Sequence, residues 1–356
     1  MKRSLVLTTV CLLVLSLLSG CAGTTVVINN CTCPTGGHVS QNPTKGPVGE
    51  GAVKTGLAVF TSVSDSTSAT EAEAGAIKYD ITIAAVTVDE KGVITSCVID
   101  SVPATVKIDH TGKITSDVSA AVLTKNELGA DYGMVAWGGA IAEWDQQVAA
   151  LCDYAVGKTV AELKNGAVDE SGKAPAGSDL AASATIKLGG YVSAIEAAVA
   201  NAQHLGAQAG DELALVTVNS LASSTAATAE KAGTAQLDTN IAVVTSKNGV
   251  ITSCVIDAVQ AKISFDATGK ITTDLSAPIQ TKNELGEKYG MVAWGGAIAE
   301  WNEQAASFAA YVTGKTAAQV AGIAVSEGKP TDSDLSASVT IKIGDFQALI
   351  AKALGK

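Results

Sequence analysis

The sequence predicts an α+β fold, built twice in tandem. Two observations predict it: a long internal repeat, and within each copy a switch of apolar spacing from strand-like to helix-like. GVITSCVID at 92–100 recurs letter for letter at 249–257, and TGKIT at 111–115 recurs at 268–272. TKNELG at 124–129 returns at 281–286, and YGMVAWGGAIAEW at 132–144 returns at 289–301, each offset by 157 residues. SDLAASATIK at 178–187 comes back as SDLSASVTIK at 333–342, offset by 155, so the loop before it is two residues shorter in the second copy. Solenoid units run about 20–50 residues, so a period this long means tandem domains. We place them at 54–205 and 210–356.

Each element has its own signal. ITIAAVTV at 81–88, a turn at 89–92 and VITSCVID at 93–100 predict a β-hairpin. ATVKID at 104–109 carries the sheet on to a turn at 110–112. From Ala136 the pattern becomes helical: Trp137, Ile141, Trp144, Val148 and Leu151 fall at spacings of 4, 3, 4 and 3, one apolar face. Trp294, Ile298, Trp301, Ala305 and Phe308 repeat it. A shorter helix follows Gly157-Lys158-Thr159, with Val160, Leu163 and Val168 apolar. Each copy then closes with a strand and a helix: ATIKL at 184–188 before a helix over 191–202, and VTIKI at 339–343 before a helix over 346–354. The expected domain is thus an antiparallel sheet with packed helices.

The N-terminus predicts export. Lys2 and Arg3 precede an apolar run at 5–18 that is too short for an ordinary spanning helix. Leu18-Ser19-Gly20-Cys21 resembles a bacterial lipobox, which implies a signal peptide over 1–20 and a lipid on the Cys21 thiol. Two or more acyl chains, at about 0.8 kcal/mol per buried methylene, hold a protein stably at a membrane. A Gly-, Pro- and Thr-rich tether fills 21–53, and about 30 flexible residues span roughly 30 Å. The expected location is the outer face of the cytoplasmic membrane.

Composition narrows the function. Without Lys2 and Arg3 the chain has 22 cationic residues against 35 acidic ones, a net of −13, and no arginine. Such a surface cannot neutralise phosphates, which excludes nucleic acid as partner. It gains nothing from anionic headgroups either, so the lipid must supply the membrane contact. Of seven cysteines, Cys11 leaves with the signal and Cys21 takes lipid; Cys31, Cys33, Cys97, Cys152 and Cys254 remain, an odd set that cannot pair completely within one chain. Cys97 and Cys254 read as buried small hydrophobes. Cys31-Thr32-Cys33 offers only two thiols, too few for a metal site. There is no CxxCH haem motif, and none of the three histidines repeats between copies. No residue takes a catalytic role, and no metal site is read.

The string at 178–187 carries the chemistry. In both copies a threonine starts an apolar strand after a turn of small residues, leaving its hydroxyl open to approach. A β-branched residue in that place is also ordinary strand chemistry. The pattern is similar to the FMN-binding domain family whose members are modified by a flavin transferase. In that family an Asp-x-x-Ser-Gly-Ala-Thr string carries FMN through a phosphoester on its threonine. Here the string runs from Asp179 through Ser183 to Thr185, and from Asp334 through Ser338 to Thr340. Serine (Ser183, Ser338) stands where the family usually has glycine, and alanine (Ala182, Ala337) where it usually has serine. With the lipobox, tether and TKNELG…YGM…EW…Q…GKT before each string, the chain resembles the extracellular electron-transfer flavoproteins, or pheromone lipoproteins, of Gram-positive bacteria. That resemblance implies two covalent FMN groups on Thr185 and Thr340. It also implies a quinol-linked membrane flavoprotein as electron donor, and ferric iron or other extracellular compounds as acceptors. A non-catalytic adhesin or scaffold built of duplicated α+β domains is the alternative. A solute-binding lipoprotein would call for two unlike lobes around one cleft. Trp144 and Trp301 read as helix-face core; Trp137 and Trp294, beside paired glycines, are either core or a stacking face for flavin. Lys125-Asn126-Glu127 and its copy either cap the following helix or touch the cofactor, with capping favoured.

Overall fold

The computed structural model describes residues 51–355. The signal peptide, Cys21, Cys31 and Cys33 lie outside the described residues. The first half begins with β1 (Lys54–Ser62), β2 (Gly75–Val88) and β3 (Ile94–Ile108), an antiparallel sheet in the order β1-β2-β3. Six helices follow: α1 (Lys125–Leu128), α2 (Met134–Gly138), α3 (Trp144–Ala155), α4 (Val160–Ala167), α5 (Asp179–Ser183) and α6 (Gly189–Ala200). The second half has β4 (Glu212–Ser220), β5 (Gly233–Lys247) and β6 (Val250–Phe265), again antiparallel in chain order. Then come α7 (Lys282–Leu285), α8 (Met291–Gly295), α9 (Trp301–Val312) and α10 (Ala317–Ala321). A two-residue ribbon of β7 (Val325–Ser326) and β8 (Lys329–Pro330) precedes α11 (Ser333–Ser336) and α12 (Gly344–Ala353). The chain is therefore α+β.

Period-two patterning decides the layers. Along β2, Ala84, Val86 and Val88 face the helices, packing with Trp144, Val148, Leu151 and Ile195. Their neighbours Ile81, Ile83 and Ala85 face the other way, onto Ile241, Val243 and Leu237 of β5. On β5, Ala242 and Val244 in turn meet Trp301, Phe308 and Leu349. The result is four layers, helices on sheet on sheet on helices. A sheet covered on both faces needs long apolar runs, which explains why AAVTV and IAVVT show no clean alternation. The sheet-to-sheet layer holds side chains from both halves at 0–8% exposure, each worth roughly 1.5–3 kcal/mol for the larger aliphatics. The contacts are reciprocal: Ala227 N donates to Gly112 O at 2.9 Å, and Ala69 N donates to Gly269 O at 2.9 Å.

The hairpins differ at their tips. Asn248 and Gly249 have φ of 53° and 74°, the left-handed pair that a two-residue turn of matching twist requires. In the first half a longer turn is closed by Asp89, whose Oδ1 accepts from Lys91 N and Val93 N at 2.8 and 2.9 Å.

Several sequence expectations change. β3 does not stop before 104; it runs through Pro103 to Ile108 as one strand, and β1 and β4 add edge strands that no pattern had announced. The helix expected from Ala136 is two helices, because Gly139 (φ 63°) ends α2 and α3 starts at Trp144. Trp137 and Ile141 consequently leave the apolar face and stand 89% and 57% exposed, while Trp144, Val148 and Leu151 are buried. Residues 184–188 and 339–343 form no strand. Their backbone donors go elsewhere: Thr185 N and Ile186 N to the Gln147 side chain, Thr340 N to Gln304, and Leu188 N and Ile343 N to the carbonyls of Gly172 and Gly328. Ala52 and Val53, placed in the tether, are buried against the body, with Val53 N donating to Ala207 O at 3.0 Å.

Candidate functional site

The threonine segment is built in three short steps. Ser178 caps α5, accepting from Ala181 N at 3.2 Å, and Asp179 takes the first helical position, where a negative charge is favourable. What was read as a turn is therefore one turn of helix. It buries Leu180, and Ala184 N closes on Leu180 O at 2.8 Å, which buries Ala184 as well. The next residue, Thr185, is exposed. In the second half Asp332 caps α11, Leu335 and Val339 are buried, and Thr340 is half-buried. The six-residue spacing from Asp to Thr thus sets an acidic helix start, one buried turn and a threonine at its end. Asp179, Ser183 and Asp334 are exposed, and the Ser338 hydroxyl is turned back toward Leu335 O at 3.4 Å.

A buried glutamine holds each threonine. Gln147, fully buried on α3, presents Oε1 to Thr185 N at 2.8 Å, Ile186 N at 3.2 Å and the Thr185 hydroxyl at 3.3 Å. Gln304, equally buried, accepts from Thr340 N at 2.8 Å and its hydroxyl at 3.2 Å. Their amide nitrogens donate to Ala142 O and Ala299 O, each at 2.8 Å. One side chain therefore fastens the threonine segment to the loop that follows α2. The signal was available: Gln147 lies between Trp144 and Leu151 on an apolar stripe, and the same polar intrusion recurs at Gln304. The glutamine stands in the shared pattern, but sequence reasoning assigned it no role.

The other end of that loop presents an indole. Glu143 caps α3 from a buried position and reaches back to accept from Met134 N at 2.8 Å and Val135 N at 3.1 Å, fixing α2. Glu300 does the same for Met291 N and Val292 N, at 2.8 and 3.0 Å. Trp137 folds over Gly133, whose φ is +82° and where a Cβ would come within 2.1 Å of the indole Cδ1. Trp294 over Gly290 matches it at 2.3 Å. Both indoles remain about nine-tenths exposed, at 89% and 91%. These are the two tryptophans left open between core and stacking face; they are not core.

Beneath, Lys125 and Lys282 sit against aromatic faces. Lys125 Nζ lies 5.4 Å from the Tyr132 ring centre and 5.1 Å from Trp144, and Lys282 Nζ lies 4.9 and 4.8 Å from Tyr289 and Trp301. The Lys-Asn-Glu triplet divides its work. Glu127 completes a capping box with Thr124, the Asn126 amide donates to Ile99 O at 2.9 Å, and the lysine goes under the rings. Close to Thr340, a cleft of about 460 Å³ is lined by Ile341, Lys342, Lys282, Trp301, Asp238 and Phe346. A planar group attached at Thr340 would meet there two ammonium groups, Lys282 and Lys342, alongside two carboxylates, Asp238 and Asp345, with Trp301 and Phe346 buried in the lining, so cationic donors and apolar wall for a flavin are both present. Among the described residues no group of three or more His, Cys, Asp or Glu is placed to hold a metal ion, and no helix is long and apolar enough to cross a membrane. Cys254 is buried, its thiol pushed up to about 12 by that burial, while Cys97 is half-buried, its thiol pushed up by the neighbouring Cys152 and by burial. Comparison of the chain with protein-family models, with curated proteins and with solved structures returned no match.

Proposed function

We propose that the chain is a lipid-anchored electron carrier of two FMN-binding-type domains in tandem, each bearing one FMN esterified to its threonine, Thr185 and Thr340. Cys21 anchors it to the outer face of the cytoplasmic membrane. The observation that supports the reading is the paired setting of the threonine: in each half a buried glutamine accepts from its backbone N–H and from its hydroxyl, with Thr185 exposed and Thr340 half-buried. The outward indole tied to the same loop offers a face on which a planar ring stacks.

Bound FMN would supply one- and two-electron chemistry, which belongs to the cofactor. The chain's own residues do the rest. Gln147 and Gln304 hold the attachment backbone, Trp137 and Trp294 offer stacking faces, and Lys282 places a positive charge where a reduced, anionic ring would be favoured. Electrons would come from a quinol-linked membrane flavoprotein and leave to ferric iron or another external acceptor. A flavin transferase would load both threonines.

Intact mass after co-expression with a flavin transferase and FAD tests this. Two FMN phosphoester increments are expected; Thr185→Ala and Thr340→Ala should each remove one, and the double variant both. A chain that gains no flavin mass would return the duplicated domains to the scaffold reading. Full loading of the double variant would move the acceptor elsewhere, to Ser183 and Ser338 first.

A further inference from the structure

The two halves touch reciprocally, yet one of the two matching seats between them is filled by a lysine and the other is not. Lys352, the ninth residue of α12, donates from Nζ to Thr217 O at 2.9 Å and pairs with the Glu127 carboxylate. Thr217 is the sixth residue of edge strand β4, and Glu127 is the third residue of the KNEL helix in the first half. The counterparts in the other seat are Val59, sixth in β1, and Glu284, third in the second KNEL. Both line one cleft of about 740 Å³ between the halves. The ninth residue of α6, however, is Ala197. It lies one turn before Asn201, whose amide donates to Leu57 O at 3.0 Å, so α6 runs along β1 beside that cleft.

The cleft therefore keeps the acceptors of the lysine seat without the ammonium. Its two charged lining residues, Asp257 and Glu284, are both acidic. Leu57, Leu205 and Val255 supply apolar wall, and Asn302, also in the lining, has a buried Oδ1 with no hydrogen-bond partner among the described residues. An ammonium has three N–H donors and needs acceptors for them. We infer that this cleft binds a small primary aliphatic amine, its ammonium on Glu284 and the Val59 carbonyl as Lys352 sits on Glu127 and Thr217, its alkyl body along the apolar wall. The inference stands apart from the flavin reading and does not depend on it.

The test uses the full chain and hexylammonium chloride, followed by titration calorimetry, with 1-hexanol as the uncharged control. Saturable binding with Kd of about 1 mM is expected, and at least tenfold weaker binding of hexanol. Ala197→Lys should supply the ammonium internally, abolish hexylammonium binding and raise Tm. Glu284→Gln keeps an oxygen for the Thr281 cap and should weaken binding about tenfold, the loss of a charge-assisted hydrogen bond. Hexanol binding as well as hexylammonium, no saturation up to about 10 mM, or unchanged binding in both variants would each overturn the site.

Discussion

The two halves share their longest strings letter for letter, yet the surroundings of the two threonines are not the same. Gln147 takes the backbone donors of both Thr185 and Ile186, whereas Gln304 takes only that of Thr340. Below the rings, Lys125 is paired with Asp80 at 3.5 Å. The matching aspartate, Asp238, is occupied by the amides of Gln236 and Gln260 and the Ser223 hydroxyl at 2.8–3.0 Å. Pro103 stands where Gln260 stands, and a proline side chain has nothing to donate. Identical strings thus fix the frame of each half, while side chains outside those strings decide the charge beneath it. Two flavins on such a chain would sit in different fields, the second nearer an ammonium whose carboxylate neighbour is already engaged.

The largest difference should come from the glutamines. Gln147→Leu strips acceptors from Thr185 N and Ile186 N and a donor from Ala142 O; Gln304→Leu strips one fewer. Buried polar groups left without partners cost about 1–3 kcal/mol each, less where water can reach them as it can at exposed Thr185. We expect losses of about 2–4 kcal/mol by denaturant unfolding, greater at Gln147, each with reduced flavin loading in its own half alone. Equal losses, or loading reduced in the opposite half, would break the comparison.

Next in size is a pH effect. Burial, opposed by the amides of Asn283 and Ala258, pushes the Asp257 carboxyl up to about 6; burial pushes Asp100 in the same direction. An unfolded aspartate titrates near 3.9, so between about pH 4 and 6 the native chain holds more protons. Stability contributed by this group must then fall as pH rises through that window and stay level above it, by at most about 3 kcal/mol. The exposed turn aspartates Asp109 and Asp266 are held low by threonine hydroxyls and backbone amides, and work in the opposite sense. The measurement is therefore a difference profile, wild type minus variant. For Asp257→Asn that difference should fall between pH 4 and 6, and for Asp100→Asn it should fall less. A difference that grows with pH would reverse the sign and sink the assignment.

Much of this frame could be read before the structure. The hairpin over 81–100, the helix after Thr159 and the closing helices follow from spacing and turn residues, and the structure places them at Gly75–Ile108, Val160–Ala167 and Gly189–Ala200. Misreadings share a physical cause: a local pattern was read where a distant partner decides. ATIKL alternates like a strand, but its Thr185 and Ile186 donors go to Gln147, 38 and 39 residues away in sequence. The spacing from Trp137 to Trp144 is helical, but Gly139 at φ 63° ends the helix and frees the indole. The string at 178–187 suggested an open threonine hydroxyl; Thr185 is exposed and Thr340 half-buried, and the glutamine that accepts from both hydroxyls could be found only as a polar residue intruding on an apolar stripe.

The smallest effect on stability, and the place where the halves should agree best, is at the tryptophans. Trp137 and Trp294 bury almost nothing, at 89% and 91% exposure, so truncation to alanine removes little from the core. Surface changes of this kind usually stay within about 0.5 kcal/mol. Trp137→Ala and Trp294→Ala should therefore leave unfolding of the flavin-free chain unchanged within that margin. Gly133→Ala should cost more, since it meets both a left-handed φ of 82° and the indole at 2.1 Å. In the Trp137→Ala background only the backbone penalty of about 1 kcal/mol should remain. In loaded protein the same truncations should raise flavin fluorescence, because a stacked indole quenches it, and should do so equally in single-flavin chains carrying Thr340→Ala or Thr185→Ala. Fluorescence unchanged in both would leave the indoles as surface residues with no part in holding the ring. A change in only one half would show that the field beneath the ring, where the halves differ, also sets how the ring lies.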